Sequence, residues 1–533
     1  MSQLTVDLLS AGLANAAESW LDKLVAERVA SALSHQDPTL WGPQAQPEAT
    51  RRLAWVTLPE TSRPLLATIE ALRADLRSEG IDRVVLAGMG GSSLAPEVIC
   101  ATAGAALTVL DTTDPGEVAD ALAGDLARTV LVVSSKSGST VETDSHRRIF
   151  AAAFTEAGLD PAAHLVVVTD PGSPLQRIAE ENGYRAVIPA DPGVGGRYSA
   201  LTAFGLVPAG LAGVDIATLL DDAAQTVPLL ATDDSQNPAL RLAAALAARH
   251  SAGAEKVVLA DTGSGISGFG DWAEQLIAES TGKEGIGLLP VVVEGPGTPG
   301  FADAGPDGTP VAIGPASGDA AVAVNGPLGA QFLLWEHAIA IAGRLLGINP
   351  FDQPDVEAAK AAARAQLTTA QPRGAAFVDG AVEVHPTGGW LPGEAATLGD
   401  ALRALIAATP PLGYLAVQGY LDRFADASAA LLRPELARRT HLQTTFGWGP
   451  RFLHSTGQYH KGGHQNGAFL QLTGVVGTDL PVPDAGFTLG KLQLAQALGD
   501  AEVLAKHDRP VLRLHLTDRA AGLIQLMRSV QEL

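Results

Sequence analysis

Short apolar runs recur along much of the chain, and a stretch long enough for a helix separates most of them. Between residues 83 and 188 the runs read RVVLAG, ALTVL, TVLVVS, HLVVV and YRAVI. From residue 256 a second series reads KVVLA, LPVVV, PVAI and AAVAV, followed by an apolar helical pattern that ends near Gly347. Alternation of this kind is typical of parallel strands covered by helices, and it predicts two α/β domains.

Changes in texture along the chain suggest the domain boundaries. The segment DDSQNP at 233–238 is the predicted linker between a first domain at 51–232 and a second at 239–370. Beyond the second domain, Gly- and Pro-rich segments precede the apolar runs YLAVQ, AFLQLT and PVLRLHL. These runs predict a C-terminal α/β unit at 371–533. Residues 1–50 are predicted to be an N-terminal helical segment, because apolar residues recur there at helical spacing. The composition of residues 295–310 indicates a long surface loop.

Charge and cysteine content exclude several classes of partner. Against 36 Lys and Arg stand 58 Asp and Glu, so a formal charge of −22 opposes binding to nucleic acid or anionic membranes. No apolar run approaches the ~20 residues that cross a bilayer, and we expect no membrane partner. A single cysteine, Cys100, rules out an internal disulfide and fits a cytoplasmic location.

Two polar loops follow predicted strands of the first domain. The first contains Gly90, Gly91 and Ser92, and such a turn brings backbone N–H groups close to a ligand, although a dinucleotide site would look similar. The second, SSKSGSTVET at 134–143, places hydroxyl side chains and one lysine at a helix start. Hydroxyls and helix N-terminal amides favour phosphate binding, and the P-loop pattern of nucleotide sites is absent. A phosphomonoester is the predicted ligand, and a solvated, capped Ser-rich turn is the alternative.

Two further segments carry candidate reactive groups. The first is GGRYS at 195–199, with Arg197, and the second is the helical DWAEQLIAESTGK at 271–283. In the latter, Gln275 and Glu279 lie four residues apart and share one helical face. Taken alone, Arg197 could be a surface ion-pair partner and Glu279 a solvated helix charge.

In their order along the chain, these segments resemble the glucose-6-phosphate isomerase family. They correspond to its Gly-x-Gly-Gly-Ser, Ser-Lys-x-x-x-Thr-x-Glu-Thr, Gly-Gly-Arg-x-Ser and Glu-Ser-x-Gly-Lys motifs, and FDQPDVEAAK at 351–360 resembles a fifth. The resemblance implies two αβα sandwich sugar-isomerase domains (SIS, flavodoxin-like) with parallel sheets, beside the N-terminal helix and the C-terminal α/β unit. It also implies a hexose 6-phosphate substrate, no cofactor, no metal and a homodimer.

Individual residues take their roles from the same resemblance. It implies that the substrate phosphate is bound by Ser92, Ser135, Lys136, Ser137 and Thr140. It places around the sugar Arg197, Gln275, Glu279, Gln353 and Lys360, and it adds to substrate binding the glycines Gly90, Gly91 and Gly196. Glu279 is then the expected base, and Arg197 the group that stabilises the enediolate.

The histidine that opens the sugar ring is where the sequence departs from better-known members. Their Gly-Gln-His-x-Phe-x-Gln-Leu segment is missing after the Glu-Ser-x-Gly-Lys helix, and His337 lies in an apolar helix where a core role is expected. The nearest likeness is FLHSTGQYHKGG at 452–463, which resembles a longer subgroup also found fused to transaldolase. It favours His460, with His454 second, and His464 fits least. Alternatively, His460 and His454 could hydrogen-bond a surface loop. A metal site formed by the three histidines would lack a carboxylate or cysteine partner at ligand spacing.

Other functions share this fold. A regulator could bind a sugar phosphate without converting it, but no basic helix-turn-helix stretch is apparent. An isomerase that also accepts mannose 6-phosphate stays open, because epimer choice depends on pocket shape. An amidotransferase that makes glucosamine 6-phosphate expects an N-terminal cysteine, and position 2 is serine.

Overall fold

The computed structural model describes residues 4–369 and 374–533, except for the side chains of residues 355–360 and 368–369. The strands are β1 (Thr5–Leu8), β2 (Arg83–Gly88), β3 (Thr108–Leu110), β4 (Thr129–Ser134), β5 (Leu165–Thr169), β6 (Ala186–Pro189), β7 (Lys256–Asp261), β8 (Leu289–Val292), β9 (Gly308–Ile313), β10 (Val322–Asn325), β11 (Phe377–Asp379), β12 (Val382–Thr387), β13 (Tyr414–Tyr420), β14 (Gln443–Trp448), β15 (Gly467–Gly474) and β16 (Val511–Leu516). They form three sheets.

The helices are α1 (Ala11–Ala26), α2 (Val29–Ser34), α3 (Gly42–Arg52), α4 (Leu58–Thr61), α5 (Pro64–Ser78), α6 (Leu94–Ala103), α7 (Pro115–Leu122), α8 (Val141–Glu156), α9 (Pro161–His164), α10 (Pro174–Glu181), α11 (Ala203–Ala212), α12 (Ile216–Leu230), α13 (Pro238–Ser251), α14 (Phe269–Thr281), α15 (Leu328–Leu346), α16 (Pro354–Thr369), α17 (Leu398–Ala407), α18 (Leu432–Thr440), α19 (Gly457–Gly462), α20 (Leu489–Lys506) and α21 (Arg519–Gln531). Among the described helices, none combines the length and apolar character needed to cross a bilayer.

The first sheet is a complete three-layer unit. Its order is β3-β2-β4-β5-β6, and all its neighbouring strands are parallel. Val84 and Leu86 pack on one face, towards α5, α6 and α11, whereas Val85 and Ala87 pack on the other, towards α7, α8 and α10. The chain changes direction across the sheet between β2 and β4, and ligands bind at such switch points in open α/β sheets. Both polar loops predicted from the sequence begin there.

The second sheet has the order β1-β10-β9-β7-β8, and its strands are parallel except for β1. Val257 and Leu259 pack in the same core as α13 and α15. The opposite face, with Val258 and Ala260, packs against the C-terminal unit through residues such as Tyr414. The mixed α/β fold with parallel sheets is confirmed, but the C-terminal unit replaces one helical layer of the second predicted αβα sandwich.

The N-terminal segment differs from the helix predicted for it. Residues Thr5–Leu8 form β1, which pairs antiparallel with β10, and α1 starts only at Ala11 after a Ser10 N-cap. The alternation of buried and exposed side chains in β1 was too short to separate from a helical pattern in the sequence. As a result, the N-terminus is an edge strand of the second domain followed by helices.

The C-terminal unit is built on a mixed sheet of order β11-β12-β16-β15-β13-β14. Its four strands β16, β15, β13 and β14 are parallel, and β11 and β12 extend the sheet in antiparallel pairing. Helices α17, α18 and α21 cover one face, and α19 and α20 lie towards the first two domains. Its β14–α19 connection carries His454 and α19 carries His460, the two histidines predicted to act in the site.

Candidate active site

The glycine loop after β2 is a point of close contact between several parts of the chain. A Cβ atom on Gly91 would lie 1.9 Å from the carbonyl oxygen of Gly196, so these two backbones touch directly. Gly90 has φ +55°, and a Cβ there would lie 2.8 Å from both Gln275 Nε2 and His454 O. Glycine is required because any side chain would separate these segments. The buried Ser92 ends the same short turn.

The serine-rich loop lies at the neighbouring strand end, between β4 and α8. Its hydroxyl groups contact one another: Ser135 Oγ lies 3.0 Å from Thr140 Oγ1, and Ser137 Oγ lies 3.1 Å from Ser139 Oγ. Thr140 is the N-cap residue of α8, so the loop leads into a helix N-terminus. This arrangement fits a phosphate group.

Lys136 in this loop already has an anionic partner. Its Nζ donates to Asp170 Oδ2 at 2.6 Å. Burial lowers the pKa of Lys136, while the Asp170 carboxylate opposes that shift. The ammonium group therefore belongs to an ion pair within the first domain, which the sequence motif did not reveal.

Arg197 and Glu279 meet between the first two domains. Arg197 lies in the short Gly196–Tyr198 turn, Glu279 lies on α14, and their side chains are only 2% and 8% exposed. Arg197 Nη1 donates to Glu279 Oε2 at 3.3 Å and to Gln353 Oε1 at 2.7 Å. Burial raises the pKa of Glu279, while the charge of Arg197 and a hydrogen bond from Gln275 act against that shift. The carboxylate is thus poised for proton transfer next to a fixed positive charge.

Two cations anchor the segment that leads into α16. Arg197 Nη2 donates to the carbonyl oxygens of Pro350 and Asp352 at 2.6 and 2.9 Å. Lys283 Nζ donates to Asp352 O at 2.6 Å and Oδ1 at 2.8 Å, and burial lowers its pKa to about 8. These bonds position Gln353, whereas the predicted Lys360 lies on α16 outside the residues whose side chains the structure describes.

The structure places His454 beside the other candidate residues. His454 Nε2 lies 3.1 Å from Glu142 Oε1, and Gln496 Nε2 donates to the same oxygen at 2.7 Å. Burial would raise the pKa of Glu142, but the pKa is lowered, chiefly by the adjacent His454. Neither Glu142 nor Gln496 was assigned a role from the sequence, although Glu142 lies within the Ser-Lys-x-x-x-Thr-x-Glu-Thr motif.

His460, which the sequence analysis favoured, lies elsewhere. Its ring stacks on Tyr414 with 5.7 Å between centroids, and Nδ1 lies 3.0 Å from the Tyr414 hydroxyl. Phe469 packs against it edge-on, and burial holds the pKa of His460 well below its ordinary value. His464 contacts His250 instead. Spacing within the motif suggested His460, but the direction of α19 turns that side chain into the aromatic core, whereas the His454 side chain lies beside Glu142.

A cavity of about 340 Å³ opens between the serine-rich loop, α16 and the C-terminal unit. Hydroxyl groups and the Glu142–His454 pair form part of its wall, and apolar side chains form another part. The lining residues are Ser137, Ser139, Thr140, Val141, Glu142, Ala363, Arg364, Leu367, Leu453, His454, Phe487, Leu492 and Gln496. Glu279 and Arg197 are not in this lining, but Gln275, which shares a helical face with Glu279, and the His454 backbone both lie close to Gly90. Among the described residues, no group of three or more His, Cys, Asp or Glu side chains is arranged to hold a metal ion.

The chain is similar in sequence to several known proteins. No protein-family model matches the chain. A probable glucose-6-phosphate isomerase of Haloarcula marismortui is 36% identical over 213 residues, which cover 39% of this chain and 49% of that relative. A glucose-6-phosphate isomerase of Thermosynechococcus vestitus is 34% identical over 348 residues, covering 52% and 65% respectively. The chain thus spans between about half and two thirds of the length of these relatives.

Solved structures show the same fold. A hypothetical protein of Thermus thermophilus superposes with a TM-score of 0.57 at 25% identity, covering 69% of this chain and all of that one. A glucose-6-phosphate isomerase of Chlamydia trachomatis gives a TM-score of 0.53 at 19% identity, covering 67% and 85%. The chain is thus similar in sequence to glucose-6-phosphate isomerases, and its fold is similar to that of a solved glucose-6-phosphate isomerase.

Proposed function

We propose that this protein is a glucose-6-phosphate isomerase, which converts glucose 6-phosphate reversibly into fructose 6-phosphate through an enediolate. The observation that carries the proposal is the buried contact between Arg197 and Glu279, 3.3 Å apart, beside the Glu142–His454 pair. A carboxylate, a permanent cation and an oriented imidazole are the groups that ring opening and proton transfer between adjacent carbons require.

In this proposal Glu279 is the base. It removes the proton from C2 of the open aldose and returns it to C1, while the hydroxyl proton moves from O2 to O1, so the product is an isomer with no net change of atoms. The guanidinium of Arg197 stabilises the negative charge on the enediolate oxygens. It also favours the ionised form of Glu279, which burial alone would disfavour.

Ring opening is assigned to His454, oriented by Glu142. The hydrogen bond from Gln496 to Glu142 holds the carboxylate in place, and the carboxylate in turn orients the imidazole. Lys360 is the second group proposed for this step, on the family resemblance alone. Ser92, Ser135, Lys136, Ser137 and Thr140 are proposed to bind the phosphate, whose binding energy fixes the distant carbons against Glu279.

The described residues of one chain supply Glu279, Arg197, Glu142 and His454 together. The homodimer implied by the family resemblance stays a prediction. A role in glycolysis and gluconeogenesis, a cytoplasmic location and the use of mannose 6-phosphate are predictions as well.

The test is a coupled assay of fructose 6-phosphate conversion with excess chelator, applied to the wild type and Glu279→Gln. We expect wild-type turnover and a loss of roughly 10²- to 10⁴-fold in kcat in the variant, the range for removal of a general base. Glu284→Gln is the matched control, because Glu284 is an exposed carboxylate just beyond α14 and should leave turnover unchanged. Near-normal turnover of Glu279→Gln would sink the base assignment, and a wild type that binds the sugar phosphate without converting it would point to a regulator.

A further inference from the structure

An anionic substrate must find positive charge in a chain whose formal charge is −22. The motif lysine is not a free cation, because Lys136 Nζ is 2.6 Å from Asp170 Oδ2. Glu142, the acidic residue of the cavity wall, would repel a phosphate, although its contact with His454 reduces that effect. Hydroxyl groups and backbone amides do not neutralise a phosphate dianion, and Asp170 offsets the charge of Lys136, so a further cation at the loop would strengthen binding.

Arg364 is a cation that lies beside the serine-rich loop. It lines the same cavity as Ser137, Ser139 and Thr140. It lies on the exposed part of α16, and in the described part of the chain its guanidinium takes part in no hydrogen bond or ion pair. A guanidinium offers a planar pair of N–H donors that matches two phosphate oxygens, and such charge-assisted bonds are stronger than neutral ones.

Two contacts hold the helix that carries Arg364. The segment preceding α16 is bound by Arg197 and Lys283. Further along, α16 packs closely on α20 at Gly499, where a Cβ would lie 2.7 Å from Ala363 N. The position of Arg364 on α16 is thus set by the close contact of its neighbour Ala363 with Gly499.

The apolar residues of the cavity lining indicate where a charged group would not be favoured. Leu453, Phe487 and Leu492 form an apolar wall, and a charged group there would lose its hydration without compensation. The hydroxyl groups and Arg364 contribute polar lining to the same cavity. A phosphate is therefore favoured between α16 and the serine-rich loop.

We infer that Arg364 is a substrate-binding residue that pairs with the phosphate group of the sugar, together with Ser137, Ser139 and Thr140. The inference rests on the proposed function for the identity of the sugar, but the binding of a phosphate can be measured without turnover. Arg364 is a specificity residue for phosphorylated sugars and takes no part in proton transfer.

The experiment is calorimetric titration of the full chain with inorganic phosphate, beside steady-state kinetics with fructose 6-phosphate. For Arg364→Ala we expect phosphate affinity to fall roughly 10- to 100-fold and KM to rise by a similar factor, with kcat within about threefold of the wild type, because a charged hydrogen bond is lost from binding alone. Arg364→Lys should recover part of the affinity, since it restores the charge without the paired donors. Arg528→Ala, which removes an exposed arginine on α21, should behave as the wild type.

The outcomes separate the two proposals. Unchanged phosphate affinity in Arg364→Ala, or a wild type that binds no phosphate, overturns the role of Arg364. Arg364-dependent phosphate binding without isomerase activity in the wild type keeps that role and refutes the proposed reaction.

Discussion

The first and second sheets are both buried on two faces, but different parts of the chain cover those faces. A parallel sheet needs cover on both faces, because neither face is polar. The first sheet is covered by its own helices on both faces, for example by α11 on one and α8 on the other. The second sheet has its own helices on one face only, and the C-terminal unit covers the face that contains Val258 and Ala260. The unit is therefore part of the core of the protein.

This difference explains how a distant segment reaches the site. Once the C-terminal unit packs on the second sheet, its β14–α19 connection lies against the first domain. Arg451 in that connection donates to Asp111 at 2.8 Å and to Asp271 at 3.2 Å, and it pairs with Glu97 at 2.6 Å. Three residues further along the chain, His454 contacts Glu142. The packing of the C-terminal unit thus both covers the second sheet and places His454 beside Glu142.

The largest effect is expected from removing the C-terminal unit. A chain ending at residue 369 would expose the apolar face of the second sheet, where Leu289 and Val291 join Val258 and Ala260. We expect aggregation, or a state without cooperative unfolding that binds the dye ANS, because large apolar patches are not tolerated on monomers. Differential scanning calorimetry and ANS fluorescence are the measurements. A truncated chain that melts in a single sharp transition would show that the second sheet needs no such cover.

A smaller loss is expected from Arg451→Ala, which keeps the apolar contact and removes the central cation of the junction. Asp111 is nearly fully buried and would lose its main partner. Removing one partner of a buried pair costs about 3–5 kcal/mol, and we expect that decrease in the free energy of unfolding measured with urea. Arg438→Ala, which breaks an exposed pair with Glu435, should cost about 1 kcal/mol or less. Equal changes in the two variants would argue against a docking role for Arg451.

The smallest and most specific effect is expected from His454→Gln. The variant should lower kcat by about 10²-fold, the lower range for an acid–base group, without changing Tm. His460→Phe supplies the comparison, since it removes the hydrogen bond to Tyr414 within the aromatic core. It should lower stability by about 1 kcal/mol and leave kcat of the folded enzyme unchanged. The reverse pattern would restore His460 as the ring-opening histidine.

Much of the architecture was predictable because it depends on local pattern. The runs RVVLAG, TVLVVS and KVVLA appear as β2, β4 and β7, and the glycine and serine loops lie at the ends of the first two. Strand β1 was missed because four residues beside a helix carry too little alternation, and only pairing with β10 makes them a strand. Strand β14, QTTFGW, lacks a clear apolar run and gains its place by pairing with β13.

In the candidate site, too, some features follow from local sequence and others only from tertiary contacts. The pairing of Gln275 with Glu279 on one helical face follows from spacing along α14. The choice between His454 and His460 did not, because Glu142 lies more than three hundred residues from His454 in the chain, and no local pattern encodes that contact. The ion pair between Lys136 and Asp170 is likewise a contact between neighbouring loops of the folded sheet.

The sequence by itself determined the parallel sheets, the order of the motifs and the residue types that the proposed isomerisation needs, since these depend on periodicity and on side-chain chemistry. The tertiary structure alone decided which histidine faces Glu142, which cation lines the cavity beside the serine-rich loop and what covers the second sheet. These depend on how whole domains dock, and docking is set by apolar faces and ion pairs that meet only after each unit has folded.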